Sequence, residues 1–346
     1  MTLKDRRYVA FWLLICAALV YAMVVVGGVT RLTHSGLSMV EWQPLVGAIP
    51  PLSHADWQEL FAKYRQTPEF RQVNHAMDLQ GFKTIFWWEY FHRLLGRMIG
   101  LVFLLPFLWF AARKKIGRRL LWPLAGIFVL GALQGALGWY MVKSGLVDDP
   151  RVSHFRLTAH LGVALAILAA ELWLAISLLV PQSRPRSGMT LAKALPFVVF
   201  AMALSGGMVA GLHAGTAYNT FPLMNGYVVP PETFALEPWW RNLLYNIPAV
   251  QLVHRAIFWT LLVLVPLTWW RGRGSLAANL LLAAFVLQAS LGISTLLLHV
   301  PLVLAALHQA GAVLLFSAAI WNAHASASGE ERRAAGSGLA VHRQAA

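Results

Sequence analysis

A single cysteine, Cys16, stands in 346 residues. No disulfide can form within the chain, and no cysteine-based metal cluster is available. Cys16 itself falls in an apolar run, where a cysteine serves as a small packing residue. Charge is also scarce. Asp, Glu, Lys and Arg make up 12% of the chain, roughly half the share of an ordinary soluble protein, which excludes a soluble globular domain. Acid is scarcer than base, and the net charge is +14. That excess does not form a face for nucleic acid. It falls in short segments between apolar runs, as at Arg113, Lys114, Lys115, Arg118 and Arg119. A cleaved leader is not indicated either. Lys4, Arg6 and Arg7 precede an apolar run, Tyr8 to Val29, that is long enough to span a bilayer and is read as an uncleaved first helix.

What is abundant is apolar: 58% of residues are hydrophobic and 15 are tryptophan, as aromatic belts at a lipid bilayer require. About 20 apolar residues cross a bilayer as a helix. Eight segments qualify, at 8–29, 84–110, 119–141, 155–180, 191–212, 248–270, 276–298 and 301–322. The expected fold is an all-α polytopic membrane protein. Lys and Arg mark one side: the N-terminus, the 111–119 loop, Arg184, Arg186 and Lys193, Arg271 and Arg273, and the tail with Arg332, Arg333 and Arg343. By the positive-inside rule that side and both termini are cytoplasmic. In the first outer loop, Ser53 is placed to cap a short helix with Trp57, Leu60, Phe61 and Tyr64 on one face. Residues 326–346 are small, polar and charged, and are expected to be a disordered tail.

The chain repeats itself. "GGVTRLTHSG" and "GGMVAGLHAG" align without gaps, pairing Gly27 and Gly28 with Gly206 and Gly207, and His34 with His213. "EYFHR" at 89–93 then matches "QLVHR" at 251–255, "QGALG" at 134–138 matches "QASLG" at 288–292, and His160 matches His308. The order is kept over four helices, which implies two tandem four-helix halves, 1–182 and 183–325. Four is even, so the halves share an orientation and a pseudo-two-fold along the membrane normal.

Four histidines fall on separate even-numbered spans: His92, His160, His254 and His308. Counting from the span starts at 1.5 Å per residue puts each roughly 5–10 Å below the outer surface. One such histidine would be read as a hydrogen-bonded interior residue. Four at one depth, duplicated as pairs, point to two bis-imidazole iron sites of the kind that hold heme in a four-helix bundle. Zinc needs three or four donors, and each half supplies two clear imidazoles. Nearby glycines leave room for a flat macrocycle or for close helix packing. Arg93 and Arg255 follow their histidines directly, and Arg31, His34 and His213 lie near the same level. These five are candidate contacts for heme propionates.

Glu89 stands three residues before His92, so the two share a helix face. The equivalent position before His254 is Gln251. One half keeps a titratable group beside its iron site and the other keeps the neutral isostere. That pattern suits a protein in which one copy handles protons and the other only electrons. Pairing of Glu89 with Arg93, four residues on, is the structural alternative.

"GGVTRLTHSGLSMVEWQPLVGAIPP", "EYFHRLLGR", "LTAHLG", "QLVHR" and "LHQAGA" together resemble the heme A synthase family, up to about Trp321. The lack of paired loop cysteines is similar to its alphaproteobacterial and mitochondrial type. The resemblance implies a membrane oxidoreductase that converts the C8 methyl of heme O to a formyl group through a hydroxymethyl stage, giving heme A for terminal oxidases. It implies heme b on His254 and His308, the substrate heme on His92 and His160, and Glu89 as the catalytic carboxylate. It further implies a bacterial inner membrane location with the heme sites toward the periplasm, and heme O synthase and oxidase assembly factors as partners. It names no electron acceptor or donor. Spare apolar surface and the Gly96 to Gly100 spacing permit a homo-oligomer. Two other classes compete. A quinone-linked diheme b-type electron carrier commonly places two histidines on one helix, whereas each helix here has one. A heme carrier without chemistry would not need the Glu89/Gln251 difference.

Overall fold

The computed structural model describes residues 1–41, 46–145, 152–180 and 190–343, the last 17 as backbone only. Arg184 and Arg186 lie outside the described residues. Apolar segments fold as helices because a chain shielded from water must satisfy its own backbone polar groups. The long helices are α1 (Leu3–Leu32), then, after short α2 (His54–Tyr64) and α3 (Pro68–Gln72), α4 (Leu79–Ala112), α5 (Arg118–Gly145), α6 (His154–Leu179) and α7 (Leu191–Gly211). A single-turn α8 (Asn242–Tyr245) precedes α9 (Ile247–Gly272), α10 (Leu276–Leu297) and α11 (Leu302–Arg343). Eight of these are long and apolar enough to cross a membrane. Among the described residues there is no strand element.

The helix starts carry their own signals. Thr2 with Asp5, and Ser53 with Asp56, form capping boxes on α1 and α2. Asp78 caps α4 by accepting from Gly81 N at 2.8 Å. That cap places the start of α4 at Leu79, five residues before the apolar run expected at 84, so the helix projects beyond its apolar span. At the other end of the chain, α11 continues to Arg343, where the sequence reading expects disorder. Glu330, Glu331, Arg332, Arg333, Ala334 and Ala335 are consecutive helix formers within that stretch.

The packing pattern recurs. Helix α1 lies against α4 and α6, with α5 against α4 and α6. Helix α7 lies against α9 and α11, with α10 against α9 and α11. The two sets meet through α6 with α7, α1 with α11, and α6 with α11.

The apolar core fills one end of the bundle. Leu13, Cys16, Leu124, Leu165, Leu168, Leu195, Leu261, Leu281 and Phe316 are its buried centre. The same end gathers the N-terminus and the helix ends beside it. Lys115 Nζ is 3.8 Å from Asp5, Arg6 reaches the Ser177 carbonyl, and Ser177 Oγ is 3.1 Å from His324 Nε2. Toward the other end the core gives way to glycines and histidines. There the first loop folds back as an aromatic roof on α4. Trp57 and Tyr64 of α2 pack on Phe82, Ile85, Phe86 and Tyr90, with Trp57 to Phe86 at 4.9 Å and Tyr64 to Phe82 at 5.2 Å between ring centroids. Rings of this size each bury on the order of 150–250 Å², so the roof is firmly seated.

Candidate functional site

The four span histidines lie between the apolar core and the loop end. His92 and His160 are within electrostatic reach of each other, and so are His254 and His308. Each pair is therefore built within one set of four helices. Each ring is half-buried. Each also leans on a glycine of a neighbouring helix. A methyl group on Gly27 would stand 3.2 Å from His92 Nε2, and one on Gly206 would stand 3.4 Å from His254 Cε1. The same addition on Gly138 would come to 3.1 Å from His160 Cε1, and on Gly292 to 2.7 Å from His308 Cε1. Gly27 and Gly206 are equivalent in the repeat, as are Gly138 and Gly292. A larger residue at Gly27, Gly138 or Gly292 would push its ring, whereas at Gly206 an added methyl would just touch it.

The imidazoles have donor atoms to spare. His160 Nδ1 and His308 Nδ1 are buried without hydrogen-bond partners. His254 is held by Ser205, whose Oγ is 2.8 Å from Nδ1. Ser205 Oγ also donates to the Met202 carbonyl at 2.8 Å, so it accepts from Nδ1–H. The lone pair is left on Nε2, the tautomer that ligates a metal. In the gapless repeat Ser205 corresponds to Val26, which offers His92 no such bond. Two imidazoles per pair, with ring nitrogens free of hydrogen bonds on His160 and His308, are the donor set that would hold a heme iron. No group of three or more His, Cys, Asp or Glu gathers among the described residues, so the donor set does not suit zinc.

Beside the pairs the two sets differ. Glu89 is 3% exposed and accepts from Arg93 Nε at 2.6 Å. The same guanidinium donates to the carbonyls of Met39 at 2.9 Å and Glu41 at 3.1 Å. Gln251 is equally buried. Its Nε2 donates to the Tyr218 carbonyl at 3.2 Å, and its Oε1 has no partner. Arg255 donates to the same carbonyl at 2.9 Å and to those of Pro222 and Leu223. Each arginine thus ties an outer loop to the helix that carries the histidine. The ion pair that stood as the structural alternative for Glu89 is present, and it leaves the other carboxylate oxygen toward Gly36.

The remaining candidates converge where the two sets meet. Arg31 donates to the carbonyl of Ala210, its own equivalent in the repeat. His34 and His213, also equivalent, stack with ring centroids 6.4 Å apart and planes 12° from parallel. Both take a left-handed backbone, φ 52, just past the ends of α1 and α7, where glycine is the usual residue. Gln309 Nε2 donates to the Val24 carbonyl at 2.6 Å and adds a further tie between the sets.

Ser205 and the Gln309 tie escape the sequence reading, because their partners are distant in the chain; the glycines near the histidines are legible there, but not which ring each one faces. Glu171, 1% exposed on α6, is a buried acid that a charge inside an apolar run could have flagged.

These features define a polytopic helical membrane protein with two paired-histidine sites on one side of its core, one with a buried acid alongside. A family model for cytochrome oxidase assembly proteins matches residues 10–320. A heme A synthase of Nitrosospira multiformis is 60% identical over 332 residues, covering 92% of this chain and 93% of the relative. Another from Nitrosomonas eutropha is 57% identical over 332 residues, with the same coverage. A third, from Paramagnetospirillum magneticum, is 47% identical over 333 residues, covering 92% and 94%. The chain belongs to the heme A synthase family of cytochrome oxidase assembly proteins. Its single cysteine is compatible with the type that lacks loop cysteines.

Proposed function

We propose that this protein is a heme A synthase, which oxidises the C8 methyl of heme O to a formyl group through a hydroxymethyl stage for use by terminal oxidases. The observation that carries the reading is the asymmetry of two otherwise repeated sites: buried Glu89 beside His92, and Gln251 beside His254. Heme O is the substrate, taken by His92 and His160. Heme b is the resident cofactor, taken by His254 and His308, and when bound it supplies one-electron transfer. The Ser205 bond favours the resident role for that pair, because it orients His254 whether or not substrate is present.

Oxidising a methyl group to an aldehyde removes electrons and protons together. Glu89 is the group that takes protons at the substrate site. Arg93 fixes one of its oxygens and the roof of α2 keeps bulk water off it. Arg31, Arg93 and Arg255, with His34 and His213, sit at the loop end of the sites and remain the candidate donors to propionates. A lateral opening toward lipid would admit the isoprenoid tail of heme O. We place the protein in the bacterial inner membrane, with the sites toward the periplasm, working with heme O synthase and oxidase assembly factors. Gly100 faces away from the bundle, since a methyl group there would meet nothing within 4 Å, and it offers a close-approach face for a second copy.

The test is the heme content of the protein purified from cells that make heme O. Heme b plus heme A or its hydroxymethyl precursor in the wild type, with heme O accumulating in Glu89→Ala, is the expected result. Two equivalents of heme b, unchanged in the variant, would leave a diheme electron carrier instead.

A further inference from the structure

Glu69 is a buried acid that the proposed mechanism does not use. It lies on α3, outside the spans, and is 5% exposed, with Oε2 buried and lacking a hydrogen-bond partner. Burying a carboxylate is costly, and a loop residue is ordinarily free to turn it to water. Here the loop is built to hold it inward. Thr67 Oγ1 caps α3 by accepting from Phe70 N at 3.2 Å, and it donates to the Tyr64 carbonyl at 2.7 Å. The Tyr64 hydroxyl lies against the Glu69 carboxyl. That hydroxyl accepts from Asn74 Nδ2 at 2.7 Å, so its own proton is free for Glu69. Asn74 is partly exposed. On the inner side, the Glu89 carboxylate is within electrostatic reach of Glu69. Glu69 therefore has the Glu89 carboxylate and the Tyr64–Asn74 hydrogen bond as its polar neighbours in the aromatic roof.

We propose that Glu69 acts through Glu89 as the outer station of a proton path: protons taken by Glu89 at the substrate site pass to Glu69 and leave along the Tyr64 edge to outside water. The proposal rests on the oxidative reading of the site. Only protons move on this path; one-electron transfer is the chemistry that heme b, held by His254 and His308, would supply.

Two further facts support it. Burial, and next to it the Glu89 carboxylate, push Glu69 up to about 7, against a smaller opposing effect of the Tyr64 hydroxyl. It can therefore take up and release protons near neutral pH. The groups facing it are Tyr64 from α2 and Glu89 from α4, and no Lys, Arg or His acts on it among the described residues. The other set of helices has no buried loop carboxylate among the described residues. Glu232 and Glu237 in its loop are exposed, and Glu232 is held below the usual carboxylate range by the Tyr218 hydroxyl.

The experiment is an infrared pH titration of the carboxyl bands of the heme-loaded protein in lipid nanodiscs, with the pH profile of heme O oxidation measured alongside. Wild type, Glu69→Gln, Glu89→Gln and Tyr64→Phe are compared, with heme content as the check on folding. In the wild type two bands should titrate as a coupled pair. Glu69→Gln should remove the band that titrates near neutrality, and Glu89→Gln should lower the midpoint of that band, because a like charge has gone. Glu69→Gln should also slow oxidation roughly tenfold and abolish the limb of the rate profile near neutrality. Tyr64→Phe should raise the midpoint of the Glu69 band, and it carries the test if Glu69→Gln loses its heme. An unmoved Glu69 midpoint in Glu89→Gln, with an unchanged rate profile in Glu69→Gln, would overturn the path while leaving the enzyme reading intact. Coupled bands in a protein that leaves heme O unoxidised would overturn the enzyme reading instead.

Discussion

Two arrangements of the same helices differ in a few side chains. In the first, Glu89, one helical turn from His92, forms a buried ion pair with Arg93. In the second, Gln251 and Arg255 share the Tyr218 carbonyl, and Ser205 locks His254. A buried ion pair is a poor source of stability, since desolvating two charges offsets much of their attraction. Retaining one where the repeat shows that an amide also fits implies a use for the charge. The hydrogen bond to His254 has the opposite character. It prepares a ligand at rest, which suits a site that keeps its occupant. Under the proposed assignment, exchange of substrate on one side and permanence on the other would follow from Val26 against Ser205 as much as from Glu89 against Gln251.

The largest effect should come from breaking the pairs themselves. His254→Ala or His308→Ala should remove essentially all heme b, whereas His92→Ala or His160→Ala should leave about one equivalent, measured by the pyridine hemochrome spectrum per protein. Equal losses from all four variants would erase the distinction. The acid comes next. Glu89→Gln should cut heme A formation on the order of 10²-fold or more, the scale of a lost proton-transfer group. Gln251→Glu should change it less than about twofold, because Arg255 is placed to pair with a new carboxylate at i+4 as Arg93 does. Product chromatography reads both.

A third effect concerns the loops. Glu69 sits near 7 in the fold against 4.5 for the free side chain. The folded state therefore disfavours its ionised form. The protein is most stable below the lower value and loses roughly 3 kcal/mol as pH rises through the upper one. Glu69→Gln should match wild type in thermal unfolding at pH 4.5 and exceed it at pH 8. Glu232→Gln should show no gain at pH 8, since that carboxylate is favoured in the fold. The smallest effect should come from swapping the histidine orienter. Ser205→Ala should speed loss of heme b about tenfold, the low end for groups that support a metal ligand. Val26→Ser should slow release of heme from the first site. Apo-myoglobin capture measures both rates.

Much of this molecule is readable without its structure. Eight apolar runs dictate eight helices because lipid leaves the backbone no other partner, and Thr2, Ser53 and Asp78 mark helix starts by short-range bonds. The Glu89 and His92 spacing, the Gln251 contrast and the histidine positions are equally local. The Arg93 partner of Glu89 is also local, four residues away, although the two loop carbonyls it holds are not. The helical course of α11 to Arg343 differs from the disorder expected there, because charge, glycine and serine speak for disorder while the run from Glu330 to Ala335 supports helix.

By itself the sequence determined the helix count, the duplication and the residue types at each site, since these depend on composition, period and spacing along the chain. Only the tertiary structure decided which atoms meet. It set the glycines against the imidazoles and gave His254 its Ser205 bond. It stacked His34 on His213 and turned Glu69 inward beneath an aromatic roof. The physical reason is range. Helix formation is decided within a few residues by the backbone's own hydrogen bonds. The placement of a buried polar group depends on close-packed neighbours from distant segments, and their direction is not encoded in any one stretch of chain.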